Sequence, residues 1–155
     1  MKRYIAYLKY LFRHKWFVFF ACRKLGIGLW IAIMHDISKF LPSEFIPYAR
    51  TFYKSDGSKQ YIESDEFAKA WNHHQKRNKH HWQYWLLTWD RGEEVILYMP
   101  TNYAQEMIAD WIGAGKAITG KDNPLQWYGE NKHKIKLHSY TRDYIEIILG
   151  QKIKE

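Results

Sequence analysis

Between Arg3 and Leu25 the positions Tyr7, Tyr10, Leu11, Phe17, Val18 and Ala21 recur at helical spacing. That period predicts one long amphipathic helix, with His14 on the same face. Gly26-Ile27-Gly28 ends it. A second helix is expected from Leu29 to about Lys39, stopped by Pro42 and carrying His35-Asp36 in its last turns. Ser43 is then expected to cap a third helix reaching about Lys54, bent at Pro47. Residues 55–61, SDGSKQY, read as a loop.

The next helix starts at Ser64, with Asp65 and Glu66 in its first turn, where carboxylates suit the helix dipole. Its apolar stripe is Phe67, Ala70, Trp71 and His74, which places His74 inward and His73 outward. Extending the same phase past Asn78 favours His81 over His80. Residues 85–98, WLLTWDRGEEVILY, are two β-prone runs around Asp90-Arg91-Gly92, a hairpin signal. Pro100 and Thr101 open a helix to about Ile118, with Met107, Ile108, Trp111 and Ile112 inward. On it, Glu106 and Asp110 stand four residues apart on one face. Asn123-Pro124 begins a short helical piece around Trp127 and Tyr128. Ser139 to about Gly150 is the last helix. No repeat or low-complexity segment interrupts the series. The reading is a mainly α, compact bundle of five or six helices with a small β-hairpin insertion near 85–98, forming a single domain over 1–155.

Composition supports a packed domain. Aromatic residues make up 18% of the 155-residue chain, more than disordered segments carry. The single cysteine, Cys22, excludes an intrachain disulfide and suits a reducing, cytoplasmic setting. It lies in the run WFVFFAC and reads as a small buried hydrophobe. Residues 16–34 are mostly apolar, but Arg23-Lys24 and two glycines split them into pieces too short to span a bilayer, so no membrane span is expected. The net charge of +8 is unevenly placed: residues 1–60 hold eleven Lys/Arg and three Asp/Glu, and the first 24 residues hold seven basic groups and no acid. Such a field attracts phosphates, nucleic acid or anionic lipid.

The candidate chemistry lies in the histidines. His35-Asp36 puts an imidazole beside a carboxylate at the end of the apolar run Leu29–Met34, where an unpaired polar doublet would be costly to bury. His73-His74 and His80-His81 follow. Imidazole suits Zn, Fe, Ni and Cu, and carboxylate oxygens extend the range to Mn and Mg.

In chain order the candidates are His14, His35-Asp36, His74, His81 and Asp110. This order resembles the HD superfamily of metal-dependent phosphohydrolases, named for its His-Asp doublet, and the resemblance spans about two-thirds of the chain. Lys39, three residues after Asp36, also stands where many members carry a lysine. The stretch AWNHHQKRNKHHW is similar to an uncharacterised set of small phage and bacterial proteins. The resemblance implies an HD-domain-like bundle that uses one or two divalent transition metals (Mn, Fe, Co, Ni or Zn). His14, His35, Asp36 and Asp110 would hold one ion, and Asp36 would bridge to a second held by His74 and His81. Asp36 and Lys39 become the catalytic pair. Lys39 and Arg142 become contacts for a small phosphorylated substrate, a nucleotide or another ester. Glu106 reads as an exposed helix carboxylate, with a group behind the ligands or a general base as the alternative. The same ligand set would serve a di-iron oxygenase. Without catalysis, the basic N-terminal region would serve a nucleic-acid-binding module.

Overall fold

The structure is a computed structural model that describes residues 1–151. Among these are seven α-helices: α1 (Lys2–Lys24), α2 (Leu29–Met34), α3 (Pro42–Phe52), α4 (Asp65–Arg77), α5 (Thr101–Thr119), α6 (Pro124–Asn131) and α7 (Ser139–Gln151). A two-stranded antiparallel ribbon, β1 (Leu86–Thr88) with β2 (Glu94–Ile96), pairs Leu86 with Ile96. The expected mainly helical fold with a small hairpin is what the chain forms. The hairpin turns at Asp90-Arg91-Gly92, where Gly92 takes φ +88°, as a short hairpin loop requires at its left-handed position.

Local chemistry explains the helix boundaries. The Ser64 side chain accepts the Phe67 N–H at 3.1 Å and starts α4. Asn123 starts α6 in the same way. Gly120, at φ +78°, closes α5. Helix α3 begins two residues earlier than expected: Leu41, not Ser43, is its N-cap and Pro42 its first residue, a place where the missing proline N–H costs nothing.

The second helix is the main departure. It stops at Met34 rather than continuing to about Lys39. Asp36 adopts a left-handed conformation, φ 53° and ψ 22°, and a 3-10 turn, Ile37–Phe40, follows. Asp and Asn are the non-glycine residues that enter this region most readily. The turn lets two successive side chains, His35 and Asp36, enter the interior together, at 3% and 1% exposure. A continuous helix would point them about 100° apart. Lys15 of α1 holds the turn, donating to the carbonyls of Ile33 at 2.8 Å and His35 at 2.6 Å.

Helix α1 carries one buried stripe through two packed cores. Its N-terminal half, with Tyr7 and Leu11, packs with Tyr48 and Ala49 of α3 and Ala70 of α4. Its C-terminal half, with Val18, Ala21 and Cys22, packs with Met107, Ile108 and Ile112 of α5 and Ile145 and Leu149 of α7. His14 lies between Leu11 and Val18 on that stripe, where the two cores meet. No helix of the described residues is long and apolar enough to cross a membrane.

Candidate metal centre

Five elements converge on Asp36. His14 comes from α1, His35 and Asp36 from the turn after α2, and His74 from α4. His80 and His81 come from the segment after α4, and Asp110 from α5. The Asp36 carboxylate divides these partners between its two oxygens. Oδ2 faces His14 Nε2 at 3.6 Å and His35 Nε2 at 3.5 Å. Asp110 Oδ1 closes that side, 3.1 Å from His14 Nε2 and 3.4 Å from His35 Nε2. Oδ1 faces the other side, 3.3 Å from both His74 Nε2 and His80 Nε2. His81 Nε2 lies 2.9 Å from His74 Nε2. Two groups of donors meet at Asp36, His14–His35–Asp36–Asp110 and Asp36–His74–His80–His81, and a third, His35–His80–Glu106, adjoins them, each with ligand atoms within 4.8 Å of one another. Each could hold a metal ion.

A further layer of carboxylates orients the imidazoles. Glu106 Oε1 meets His35 Nδ1 at 2.9 Å and His80 Nδ1 at 3.3 Å. Glu44 Oε2 meets His74 Nδ1 at 2.7 Å and accepts the Ser38 hydroxyl at 2.9 Å. With Nδ1 tied to a carboxylate, each ring turns Nε2 toward Asp36. This carboxylate–histidine pairing fixes the ring and strengthens the free nitrogen as a ligand.

Buried polar atoms are nearly always hydrogen-bonded, and each orphan costs about 1–3 kcal/mol. His14 Nε2, His35 Nε2, His80 Nε2 and Asp36 Oδ1 are buried and make no hydrogen bond. His14 Nε2 and His35 Nε2 belong to one donor group, and His80 Nε2 and Asp36 Oδ1 to the other. Cations accepting these lone pairs, one in each group, would satisfy them, so the donor set fits divalent metal. Its nitrogen and oxygen mixture suits Zn, Fe, Mn, Co or Ni.

The electrostatics favour positive charge. Burial opposes ionisation of Asp36, but Lys39 and His35 outweigh it and hold the carboxyl well below its usual range. Burial likewise opposes ionisation of Asp110, and the adjacent His14 and His35 imidazoles keep it low. Glu106 is held down to about 2 by His35 and His80, against burial. His35 would be lowered by burial, yet Asp36, Asp110 and Glu106 push it up to about 9. His81 goes the other way, lowered by burial and by its neighbours His80 and His74. That direction favours the neutral imidazole, the form that binds metals.

Every residue of the sequence-derived metal set is in the cluster. His73 is exposed on the outer face of α4, beside Glu66 and Lys69, as its helical phase implies. Three placements differ from expectation. Extending the α4 phase favoured His81 over His80, but α4 ends at Arg77 and Asn78 leaves helical geometry at φ −105°. Both histidines therefore face the site, and His80 is the one in contact with Asp36. Glu106 is 7% exposed and engages two histidines, so it is not an exposed carboxylate. Arg142 is not brought to the cluster: its guanidinium donates to the Tyr128 hydroxyl at 3.1 Å and the Ile135 carbonyl at 2.9 Å, tying α7 to α6 and the segment after it. Glu44 escaped sequence reasoning altogether. A glutamate in the first turn after a proline has an ordinary dipole role, and only the fold shows it fully buried against His74.

A match to a family model covers residues 3–151. The chain belongs to DUF5662, a family of unknown function. Neither curated proteins nor solved structures gave a match. For this member of DUF5662, the site must therefore be read from its own residues.

Proposed function

We propose that the protein is a metal-dependent phosphohydrolase acting on a nucleotide or another small phosphate ester. The observation that carries this reading is the division of Asp36, whose two oxygens address two separate groups of histidines. A carboxylate placed this way suits a bridge between two divalent ions. His14, His35, Asp36 and Asp110 would hold one, and Asp36, His74, His80 and His81 the other. Bound there, divalent ions would lower the pKa of water toward neutrality and supply hydroxide as the nucleophile.

The remaining roles belong to the protein. Glu44 and Glu106 keep the imidazoles aimed at the ions. The side chains of Asp110 and Lys39, 16% and 13% exposed, are the most open to solvent among Asp36's charged neighbours, so substrate enters on their side. The Lys39 ammonium, 2.6 Å from Asp36 Oδ2, would neutralise charge on the phosphoryl group. Tyr10 stacks beside His14 and also lines a cavity of about 340 Å³ with Phe52, Tyr53, Tyr61, Lys59 and Gln60. Aromatic walls with two polar side chains suit a planar base, which supports the nucleotide class. The single buried cysteine agrees with a cytoplasmic location.

The test is metal analysis of protein purified without chelator, followed by a screen of phosphomonoesters and phosphodiesters with each metal. Release of phosphate or of the ester's alcohol supports the proposal. Two irons per chain with oxygen consumption and no hydrolysis would replace it with the di-iron oxygenase.

A further inference from the structure

Helix α1 is apolar on two opposite faces. One face is the buried stripe that carries Leu11, His14 and Val18. The other is exposed. Phe12 and Trp16 are 61% and 63% exposed, and Phe20 continues the line one turn further on. Helix α2 and the turn behind it extend this surface with Trp30, 71% exposed, Ile33 and Ile37. The two parts are continuous: Phe12 packs on Phe40 at 5.6 Å between ring centroids, and Lys15 fastens α1 to the carbonyls of Ile33 and His35. Isolated exposed apolar residues are ordinary, but an apolar surface of this kind marks an interaction site.

Charge selects the occupant. Lys2, Lys9, Arg13 and Lys24 flank the exposed stripe at helical spacing, and the first 24 residues contain no acid. Two copies meeting on this face would press like charges together, which association disfavours. A nucleic-acid duplex would answer the charges through its phosphates and leave the tryptophans and phenylalanines unburied, and a single strand, whose bases stack on aromatic rings, would leave the aliphatic Ile33 and Ile37 uncovered. An anionic bilayer answers both, with aromatic side chains in the headgroup boundary and basic groups over acidic lipid. The helix is too polar to span a bilayer, so it would lie along the surface.

We propose that the outer face of α1, with α2, seats the protein on an anionic lipid surface. The inference does not depend on the metal site. The full chain is sedimented with vesicles of phosphatidylcholine alone and of phosphatidylcholine with phosphatidylglycerol. Expected is pelleting with the anionic vesicles only, weakened by salt, together with a blue shift of tryptophan fluorescence from Trp16 and Trp30. Phe12→Glu with Trp30→Glu, at exposed positions, and Lys9→Glu with Lys24→Glu should each weaken binding about tenfold or more while leaving the helical circular dichroism unchanged. The proposal fails if wild type does not pellet or binds both vesicles equally. It also fails if the Phe12/Trp30 variant binds as wild type does, which would leave charge alone at work. A concentration-dependent dimer that this variant abolishes, with no vesicle binding, would assign the face to a second copy instead.

Discussion

Gly113 of α5 lies against the backbone of Val18 of α1, so that a Cβ placed on Gly113 would sit 2.8 Å from the Val18 nitrogen and 3.0 Å from its Cα. One turn away on each helix stand Asp110 and His14, paired at 3.1 Å. The missing side chain at Gly113 thus allows the close approach of two helices that bring these two groups together.

Gly113→Ala should therefore act on both fold and site. Alanine gains about 1 kcal/mol of helix propensity, but the clash is with backbone, and overpacking costs about 1–3 kcal/mol. We expect a net loss of stability and weaker metal binding as His14 and Asp110 separate. Gly129→Ala in α6, where a new Cβ meets nothing within 4 Å, should be neutral or stabilising. Thermal melts of the two variants, with calorimetric metal titrations, check the contrast.

The orienting carboxylates give a second expectation. Glu106→Gln and Glu44→Gln keep the volume but remove the charge behind His35, His80 and His74. Loss of such a partner lowers metal affinity by about 10- to 100-fold. Titration calorimetry at fixed pH measures this. Unchanged affinity in both variants would mean that these glutamates only fill space.

Lys39 combines two tasks that a variant can separate. Its ammonium is the nearest counter-charge to Asp36, so Lys39→Ala should destabilise the metal-free protein, by about 3–5 kcal/mol if it behaves as a broken buried pair. With metal saturating, the fold should recover while turnover falls by roughly ten- to a thousandfold. Melting curves with and without metal, alongside kcat, distinguish the two effects. Normal turnover at saturating metal would remove Lys39 from the proposed chemistry.

Cys22 offers a test of the packing beside the site. Burial, with the Glu106 and Asp110 carboxylates adding to it, pushes its thiol up to about 12. An unfolded thiol ionises near pH 8.5. The raised folded value means that the neutral thiol's contribution to stability is complete below about pH 8.5 and is lost as pH rises toward 12. A thiol reagent at pH 8 should leave the native protein unmodified and label it once in denaturant. Rapid labelling of the native protein would show that the α1–α5 core opens.

Much of this was legible in the sequence because helical period alone determines which residues share a face. His14 and His74 were located by the apolar stripes around them, and Asp110 by its place on α5. What escaped depends on breaks in that period. The left-handed turn at Asp36 ends α2 early, and the exit of the chain at Asn78 frees His80 to reach the same carboxylate. Glu44 lies further out of reach, since a glutamate on a helix carries the same local signal whether it meets water or an imidazole, and for Glu106 that signal leaves both places open. The exposed side of α1 hides for a related reason: Trp16 and Phe20 lie in the mostly apolar run that begins at residue 16, where both faces of the helix carry apolar residues.

Asp36 stands between the two donor groups, and Asp36→Asn tests directly whether it joins two metal ions. Asparagine tolerates the same left-handed backbone and nearly the same volume, so the fold should persist while the bridging charge is lost. The measurement is metal content per chain by elemental analysis, for wild type and variant purified side by side without chelator. Wild type is expected to hold up to two divalent ions per chain and Asp36→Asn to lose them sharply, with helical circular dichroism unchanged. A wild-type protein that takes up no divalent ion when offered each metal in turn, or an Asp36→Asn variant that keeps the wild-type content, would contradict it.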